Sequence, residues 1–177
     1  MKELNLPNTL TIFRILALPF CAYALFKNGG KDDSWRIIAF TLFFIVGLSD
    51  ILDGKIARSR NQITEFGKLL DPIADKAMLA TACIGASLLG MLSWWVTAIF
   101  LIREIAVTIL RFAVIKNGVI PASKGAKLKT FFQNFSVGLY ILPLPSYLNL
   151  PRDLFTAVAV YLTIITGVDY FRKVFKK

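Results

Sequence analysis

Long apolar runs dominate this sequence and restrict the folds that it can adopt. A helix needs roughly 20 mostly apolar residues to cross the hydrocarbon core of a membrane, because each residue adds only about 1.5 Å. About six stretches approach that length: residues 10–26, 35–57, 72–91, 94–115, 131–148 and 154–175. The sequence therefore predicts an all-α, polytopic integral membrane protein with about six transmembrane helices.

The segments between these runs have the composition of turns and not of a domain linker. Asn28-Gly29-Gly30, Asn117-Gly118 and the prolines near residue 145 interrupt the apolar pattern, as glycine, asparagine and proline do in turns. The sequence has no internal repeat and no low-complexity tract. We expect one membrane domain over residues 1–177.

The first apolar run needs comparison with a secretory signal peptide. It ends in Ala22-Tyr23-Ala24, which resembles a cleavage site. Arg14 interrupts the run, however, and further apolar runs follow it. We expect the first run to be retained as a transmembrane helix.

The net charge gives the expected orientation. The chain has 21 Lys and Arg against 11 Asp and Glu, for a net charge of +10. With a cytoplasmic N-terminus, the outer loops hold only Lys27, Lys31, Arg36 and Arg152. Because basic residues collect in cytoplasmic loops, both termini are expected in the cytoplasm. The charge is thus explained by topology and by anionic lipid at the basic C-terminus, without a nucleic-acid partner.

The absence of histidine excludes several kinds of active site. With no histidine in the chain, a Ser-His-Asp triad, an imidazole base and a histidine-ligated zinc site are impossible. Cys21 and Cys83 each lie inside an apolar run, which makes a thiolate metal site improbable. A metal would therefore bind to carboxylates, carbonyls and water, which are the ligands of Mg²⁺ or Mn²⁺.

Four aspartates lie at the facing ends of the second and third runs. Asp50 and Asp53 are three residues apart, and Asp71 and Asp75 are four apart, so each pair shares one face of a helix. The short connection predicts antiparallel neighbouring helices, which bring the two pairs together. Four converging carboxylates in a membrane repel one another unless cations neutralise them. The pattern therefore indicates two divalent ions, as in enzymes that act on phosphoryl groups.

The same aspartates could instead form an interfacial salt-bridge network. Lys55, Arg58, Lys68 and Lys76 lie close enough in sequence to pair with them. Small residues beside the carboxylates favour a ligand site, since Gly54 and Ala57 leave space for a flat, phosphorylated ligand. Each glycine taken singly could also serve helix packing.

These residues together resemble the CDP-alcohol phosphotransferase family. The pattern is Asp50-x2-Asp53-Gly54-x2-Ala57-Arg58-x8-Gly67-x3-Asp71-x3-Asp75, with eight fixed positions. The resemblance implies a six-helix membrane enzyme, usually a homodimer, that displaces CMP from a CDP-linked substrate. It also implies that the four aspartates hold two metal ions and that Asp75 is the general base. Gly54, Ala57, Arg58, Thr64 and Gly67 would surround the CDP group.

Other segments resemble the phosphatidylglycerolphosphate synthases of this family. They are residues 5–11 followed by Arg14, the Arg103-Glu104 pair with Arg111, and residues 122–130 followed by Gln133. This resemblance implies CDP-diacylglycerol and sn-glycerol 3-phosphate as substrates, with Asn8 in the CDP-diacylglycerol site. It places the enzyme in the bacterial inner membrane with its active site facing the cytoplasm.

Four basic residues are the candidates for binding glycerol 3-phosphate. Arg111 is expected at the cytoplasmic boundary, beside Lys127 and Lys129 of the following loop. Arginine binds phosphate through two parallel hydrogen bonds and lysine binds it as a point charge. Arg103 lies deeper, where it could bind the ligand or form a structural pair with a buried carboxylate.

Two alternatives to this function stay open from the sequence. The same family includes enzymes that use another acceptor, and these make cardiolipin, phosphatidylinositol phosphate or phosphatidylserine. A divalent-cation transporter is an alternative of a different class, because acidic residues inside a membrane also mark ion pathways. The Gly-Ala-Arg framework around the aspartates favours the enzyme, since an ion pathway does not need it.

Overall fold

The computed structural model describes the backbone of residues 6–59, 65–114 and 124–175. Within these ranges it describes the backbone alone, without the side chains, at residues 6–8, 10, 50–59, 65–71, 112–114, 124, 126 and 127. The described residues form six α-helices and contain no strand. The helices are α1 Leu6–Phe26, α2 Asp33–Ser59, α3 Glu65–Leu88, α4 Trp94–Val114, α5 Lys124–Ile141 and α6 Asn149–Phe175. The predicted all-α fold of six helices is confirmed.

Helices α3 and α5 begin seven residues before the apolar runs that predict them, the largest differences among the six helices. Helix α3 begins at Glu65, so that Pro72, the predicted start, lies inside the helix. Helix α5 begins at Lys124 and therefore contains Lys127 and Lys129, which we expected in a loop; that expectation is wrong. Both early segments are too polar to register as apolar runs, although lysine, leucine and glutamate are good helix formers.

The chain forms two compact units, of which the first comprises residues 1–89 and 141–143. In this unit α1 packs against α2 and α3. A methyl group at Gly85 would lie only 2.7 Å from Cδ2 of Leu25, so α1 and α3 approach closely at that point. Arg36 of α2 donates hydrogen bonds to the carbonyl oxygens of Ile141 (2.9 Å) and Leu142 (3.1 Å).

A tight turn joins α1 to α2. Asn28, Gly29 and Gly30 all have positive φ angles of 52°, 64° and 69°, a conformation that favours glycine and asparagine. Asp32 then caps α2, because its Oδ1 accepts hydrogen bonds from the backbone N–H groups of Ser34 (3.0 Å) and Trp35 (3.3 Å). The side-chain hydrogen bond from Asn28 and the one from the Trp35 N–H lower the pKa of Asp32.

The second unit comprises residues 90–140 and 144–177. In it, α4 packs against α6, and Gly167 of α6 lies against the side chain of Arg103. Phe132 of α5 stacks on Phe155 of α6 with ring centroids 4.7 Å apart. Gln133 is fully buried and donates a hydrogen bond to Oγ1 of Thr163 at 3.0 Å.

Large apolar side chains are exposed on many helices while several polar side chains are buried. On α1, Phe13 and Phe20 are more than 60% exposed, whereas Thr11 and Arg14 are buried. Within the described part of the chain, the stretch Ser146–Phe175 is long and apolar enough to cross a membrane, with 28% of its apolar window buried. Insertion of several helices and the cytoplasmic location of both termini stay predictions.

Candidate active site

The four aspartates of the sequence motif lie on two helices of the first unit. Asp50 and Asp53 lie in the C-terminal part of α2, and Asp71 and Asp75 lie in the N-terminal half of α3. The spacing within each pair therefore falls on helical backbone, as predicted, and each pair shares a helix face. The side chains of Asp50, Asp53 and Asp71 lie outside the described residues. Their convergence on metal ions stays a prediction.

Asp75 is the one motif aspartate whose side chain is described, and it forms an ion pair. Its Oδ1 accepts a hydrogen bond from Nη1 of Arg14 at 3.0 Å. The Arg14 side chain is completely buried, whereas that of Asp75 is 49% exposed. The carboxylate is thus bound by a buried arginine and is itself partly exposed at the surface of the unit.

Arg14 is a functional candidate whose role sequence reasoning missed. The alternative salt-bridge network assigned cations close in sequence to the aspartates, whereas Arg14 comes from α1, 61 residues before Asp75. The available signal was the position of Arg14 inside an apolar run, because a buried guanidinium requires an anionic partner. Of the cations considered instead, Lys55, Arg58 and Lys68 have side chains outside the described residues.

For the residues expected around the CDP group, the structure describes only the backbone, and not for all of them. Asn8 lies in the first turn of α1, Gly54, Ala57 and Arg58 lie in the last two turns of α2, and Gly67 lies in the first turn of α3. Thr64 lies outside the described residues altogether. Their contacts with a donor substrate stay predictions.

A second polar cluster lies inside the other unit, around Glu104 of α4. Oε1 of Glu104 accepts hydrogen bonds from Nη1 of Arg103, at 2.9 Å, and from Nζ of Lys129. Arg103 also donates to Oγ1 of Thr166 at 3.4 Å. All three charged side chains are largely buried, at 14%, 18% and 3% exposure for Arg103, Glu104 and Lys129. The structural pair considered for Arg103 is therefore present, with Glu104 as the carboxylate.

The structure brings together two of the four expected acceptor residues. Arg103 and Lys129 meet on Glu104, while Arg111 lies exposed in the last turn of α4, two helical turns after Glu104. Lys127 lies in α5 and its side chain is outside the described residues. Glu104 was noted in the sequence only as the neighbour of Arg103, and its link to Lys129 depends on tertiary contact between α4 and α5.

Several buried polar atoms of this unit have no hydrogen-bond partner within the described residues. They are Nε of Arg103, Oε1 of Gln133 and the hydroxyl of Tyr170. Buried polar groups in proteins are normally hydrogen-bonded, to water or ligand where the protein supplies no partner. Together with Glu104 and Lys129, they place polar groups in an interior that also contains apolar residues such as Phe100 and Val137.

Comparison with known proteins decides the family. The family model of the CDP-alcohol phosphatidyltransferases matches residues 4–168. The chain belongs to this family. A Mycobacterium tuberculosis protein named probable phosphatidylglycerophosphate synthase is 48% identical over 166 residues, covering 94% of this chain and 79% of that protein.

Two further bacterial relatives are similar along almost their whole length. Both are named CDP-diacylglycerol–glycerol-3-phosphate 3-phosphatidyltransferase. The protein of Rickettsia felis is 36% identical over 173 residues, covering 95% of this chain and 94% of its own. The protein of Bacillus subtilis is 35% identical over 187 residues, covering 96% and 94%.

Proposed function

We propose that this chain is a phosphatidyltransferase that makes phosphatidylglycerol phosphate and CMP from CDP-diacylglycerol and sn-glycerol 3-phosphate. The observation that carries the proposal is its similarity, over 94–96% of its length, to relatives named for this reaction. The helical placement of the aspartate motif in one unit agrees with it. No comparison favours the other acceptors or the cation transporter.

In the proposed reaction, Asp75 is the general base. A hydroxyl of glycerol 3-phosphate attacks the phosphorus that carries the diacylglycerol group, a new P–O bond forms, and the P–O bond to CMP breaks. Asp75 takes the proton of the attacking hydroxyl, a role that needs a carboxylate within hydrogen-bond reach of substrate. The 49% exposure of its side chain supports this access.

We propose that Asp50, Asp53, Asp71 and Asp75 hold Mg²⁺ or Mn²⁺, with two ions per site. The donor set fits such ions, because carboxylate oxygens are the ligands that these hard cations prefer. When bound, the ions supply Lewis-acid stabilisation of the charge on the diphosphate. The paired spacing on α2 and α3 supports a site built from two helix faces.

We propose that the two substrates bind through separate groups of residues. Asn8, Gly54, Ala57, Arg58, Thr64 and Gly67 contact CDP-diacylglycerol. The acceptor phosphate binds to Arg111 and Lys127 together with Arg103 and Lys129. Contact with Glu104 fixes the cations of Arg103 and Lys129 in place before substrate arrives, which lowers the entropy lost on binding.

We propose that the protein is a multi-pass homodimer of the bacterial inner membrane. Both termini and the active site face the cytoplasm, the basic C-terminus contacts anionic lipid, and residues 1–177 act as one catalytic domain. The exposed apolar side chains and buried polar ones support a lipid environment, because a protein in water shows the opposite arrangement.

The direct test is CMP release by the purified full chain in detergent or lipid vesicles. We expect release from CDP-diacylglycerol only when glycerol 3-phosphate is present, with phosphatidylglycerol phosphate as the lipid product. Excess EDTA should abolish release, and added Mg²⁺ or Mn²⁺ should restore it. Release driven by serine, inositol phosphate or phosphatidylglycerol instead would assign another acceptor, and full activity in EDTA would refute the metal site.

A further inference from the structure

We propose that Arg14 is a positioning residue that holds the Asp75 carboxylate in the orientation needed for phosphatidyl transfer. The inference rests on the proposed function, in which Asp75 accepts the proton of the attacking hydroxyl. It adds Arg14 of α1 to the proposed site of the four aspartates, which lie on α2 and α3.

The contact itself is specific. Nη1 of Arg14 lies 3.0 Å from Oδ1 of Asp75, which is both hydrogen-bond and ion-pair distance. A carboxylate has two oxygens with about four lone-pair positions, so contact at Oδ1 is compatible with a second role for the same group. The planar guanidinium restricts the direction of the hydrogen bond more than an ammonium group does.

The burial of the two partners is unequal, and this separates positioning from simple charge neutralisation. Arg14 is completely buried, while the Asp75 side chain is 49% exposed. A carboxylate needed only to neutralise a buried arginine could be buried with it. Here the fixed, permanently charged group lies inside, and the group with proposed chemistry reaches the surface. This is the arrangement expected when a buried side chain orients a reacting one.

The surroundings of Arg14 hold its side chain in place. Thr11 and Leu18, one turn to either side on α1, are 1% and 7% exposed. Ala74 and Met78, which flank Asp75 on α3, are also buried. The ion pair therefore joins two helix faces that are packed inside the unit. A side chain fixed in this way can restrict the rotamer of its partner without contacting substrate.

The test combines substitutions at Arg14 with a change at Asp75. Arg14→Met should lower kcat about 10–100-fold, as expected for a misplaced reacting group, with little change in KM for CDP-diacylglycerol. Arg14→Lys should restore part of kcat, because it keeps the charge but not the fork geometry. In an Asp75→Asn background, either change should lower kcat no further, since coupled residues are non-additive.

A matched control is Arg36→Met. Arg36 is a second arginine of the first unit, 21% exposed where Arg14 is completely buried, and it donates hydrogen bonds to the carbonyl oxygens of Ile141 and Leu142. Its loss should lower the thermal stability and leave kcat per folded molecule unchanged. Equilibrium binding of CDP-diacylglycerol, measured on every variant, provides a readout independent of turnover. We expect the Arg14 variants to bind the lipid as the wild type does.

The possible outcomes separate the two proposals. If Asp75→Asn turns over normally, the proposed role of Asp75 is wrong. If Asp75→Asn is slow but the Arg14 variants behave like Arg36→Met, only the positioning role is overturned. Equal loss of kcat from an Arg14 change in the wild-type and Asp75→Asn backgrounds also overturns it. If Arg14→Met does not fold, the same comparison with Arg14→Lys decides.

Discussion

At the scale of single residues, Asp75 combines two proposed tasks that one substitution can separate. Asp75→Asn keeps an oxygen that can contact a metal ion but removes the basic site. We expect kcat to fall about 10²–10⁴-fold, the usual contribution of a general base, while CDP-diacylglycerol binding is largely retained. Steady-state CMP release and equilibrium binding measure the two effects. Retention of more than about a tenth of wild-type turnover would exclude Asp75 as the essential base.

Glu104 connects Arg103 and Lys129, so its removal should disturb the acceptor site without touching the donor site. Glu104→Gln keeps the side-chain shape but leaves two largely buried cations without their shared anion. We expect a higher KM for glycerol 3-phosphate and a lower Tm, because breaking a buried pair costs about 3–5 kcal/mol. The KM for CDP-diacylglycerol should change little. An unchanged acceptor KM would make Glu104 purely structural.

Arg111 tests the same acceptor site without a change to the protein interior. Its side chain is exposed in the last turn of α4, so Arg111→Ala should leave the Tm close to that of wild type. Loss of one charge-assisted phosphate contact costs about 1.5–3 kcal/mol. We therefore expect the KM for glycerol 3-phosphate to rise about 10–100-fold. A rise only in the KM for CDP-diacylglycerol would place Arg111 in the donor site instead.

The sequence predicts which aspartates matter but not what holds them. The spacing of Asp71 and Asp75 is a local property of one helix, and the structure keeps it. The contacts of Asp75 with Arg14 and of Glu104 with Lys129 join residues 61 and 25 positions apart. Such contacts depend on how the helices pack. A single sequence shows that a charged residue lies in an apolar run, but it does not show which residue is its ion-pair partner.

At the scale of elements, α5 shows why apolar runs locate helices only approximately. Its buried face includes Lys129, Gln133 and Ser136, at spacings of four and three residues, while Phe131 and Phe135 are exposed. Although Val137 and Ile141 of α5 are buried as well, burial of these polar residues beside exposed phenylalanines departs from the amphipathic pattern of a helix in a water-soluble protein. Because the first seven residues of α5 are too polar to count as an apolar run, that criterion starts the helix seven residues late.

The close approach of α1 and α3 at Gly85 gives a prediction about helix packing. A larger side chain there would meet Leu25, whose Cδ2 lies 2.7 Å from the position of a Cβ atom. Gly85→Val should destabilise the protein by about 1–3 kcal/mol through overpacking, measured as a lower Tm. Gly47→Ala is the control, because its Cβ would make an ordinary 3.6 Å contact with Met78. Equal Tm values for the two variants would contradict this close approach.

At the scale of the whole molecule, the distribution of polar and apolar surface supports the proposed membrane location. Arg14, Gln133 and Thr163 are completely buried, whereas Phe13, Tyr147 and Ile109 are more than 60% exposed. In water, so many exposed apolar side chains would favour aggregation. In lipid they are favourable, and the buried polar groups can act as contacts between helices.

The proposed topology can be tested with single cysteines and a membrane-impermeant thiol reagent. Cys21 and Cys83 are buried, so background labelling should be low. Lys31 and Ser146 lie at exposed positions in connections expected outside, and Lys173 lies near the C-terminus expected inside. In intact spheroplasts, Lys31→Cys and Ser146→Cys should be labelled and Lys173→Cys should be labelled only after the membrane is opened. We expect this orientation because basic residues are retained in the cytoplasm. Labelling of Lys173→Cys in intact spheroplasts would show the opposite orientation, in which the proposed active site lies on the other side of the membrane from its cytoplasmic substrate.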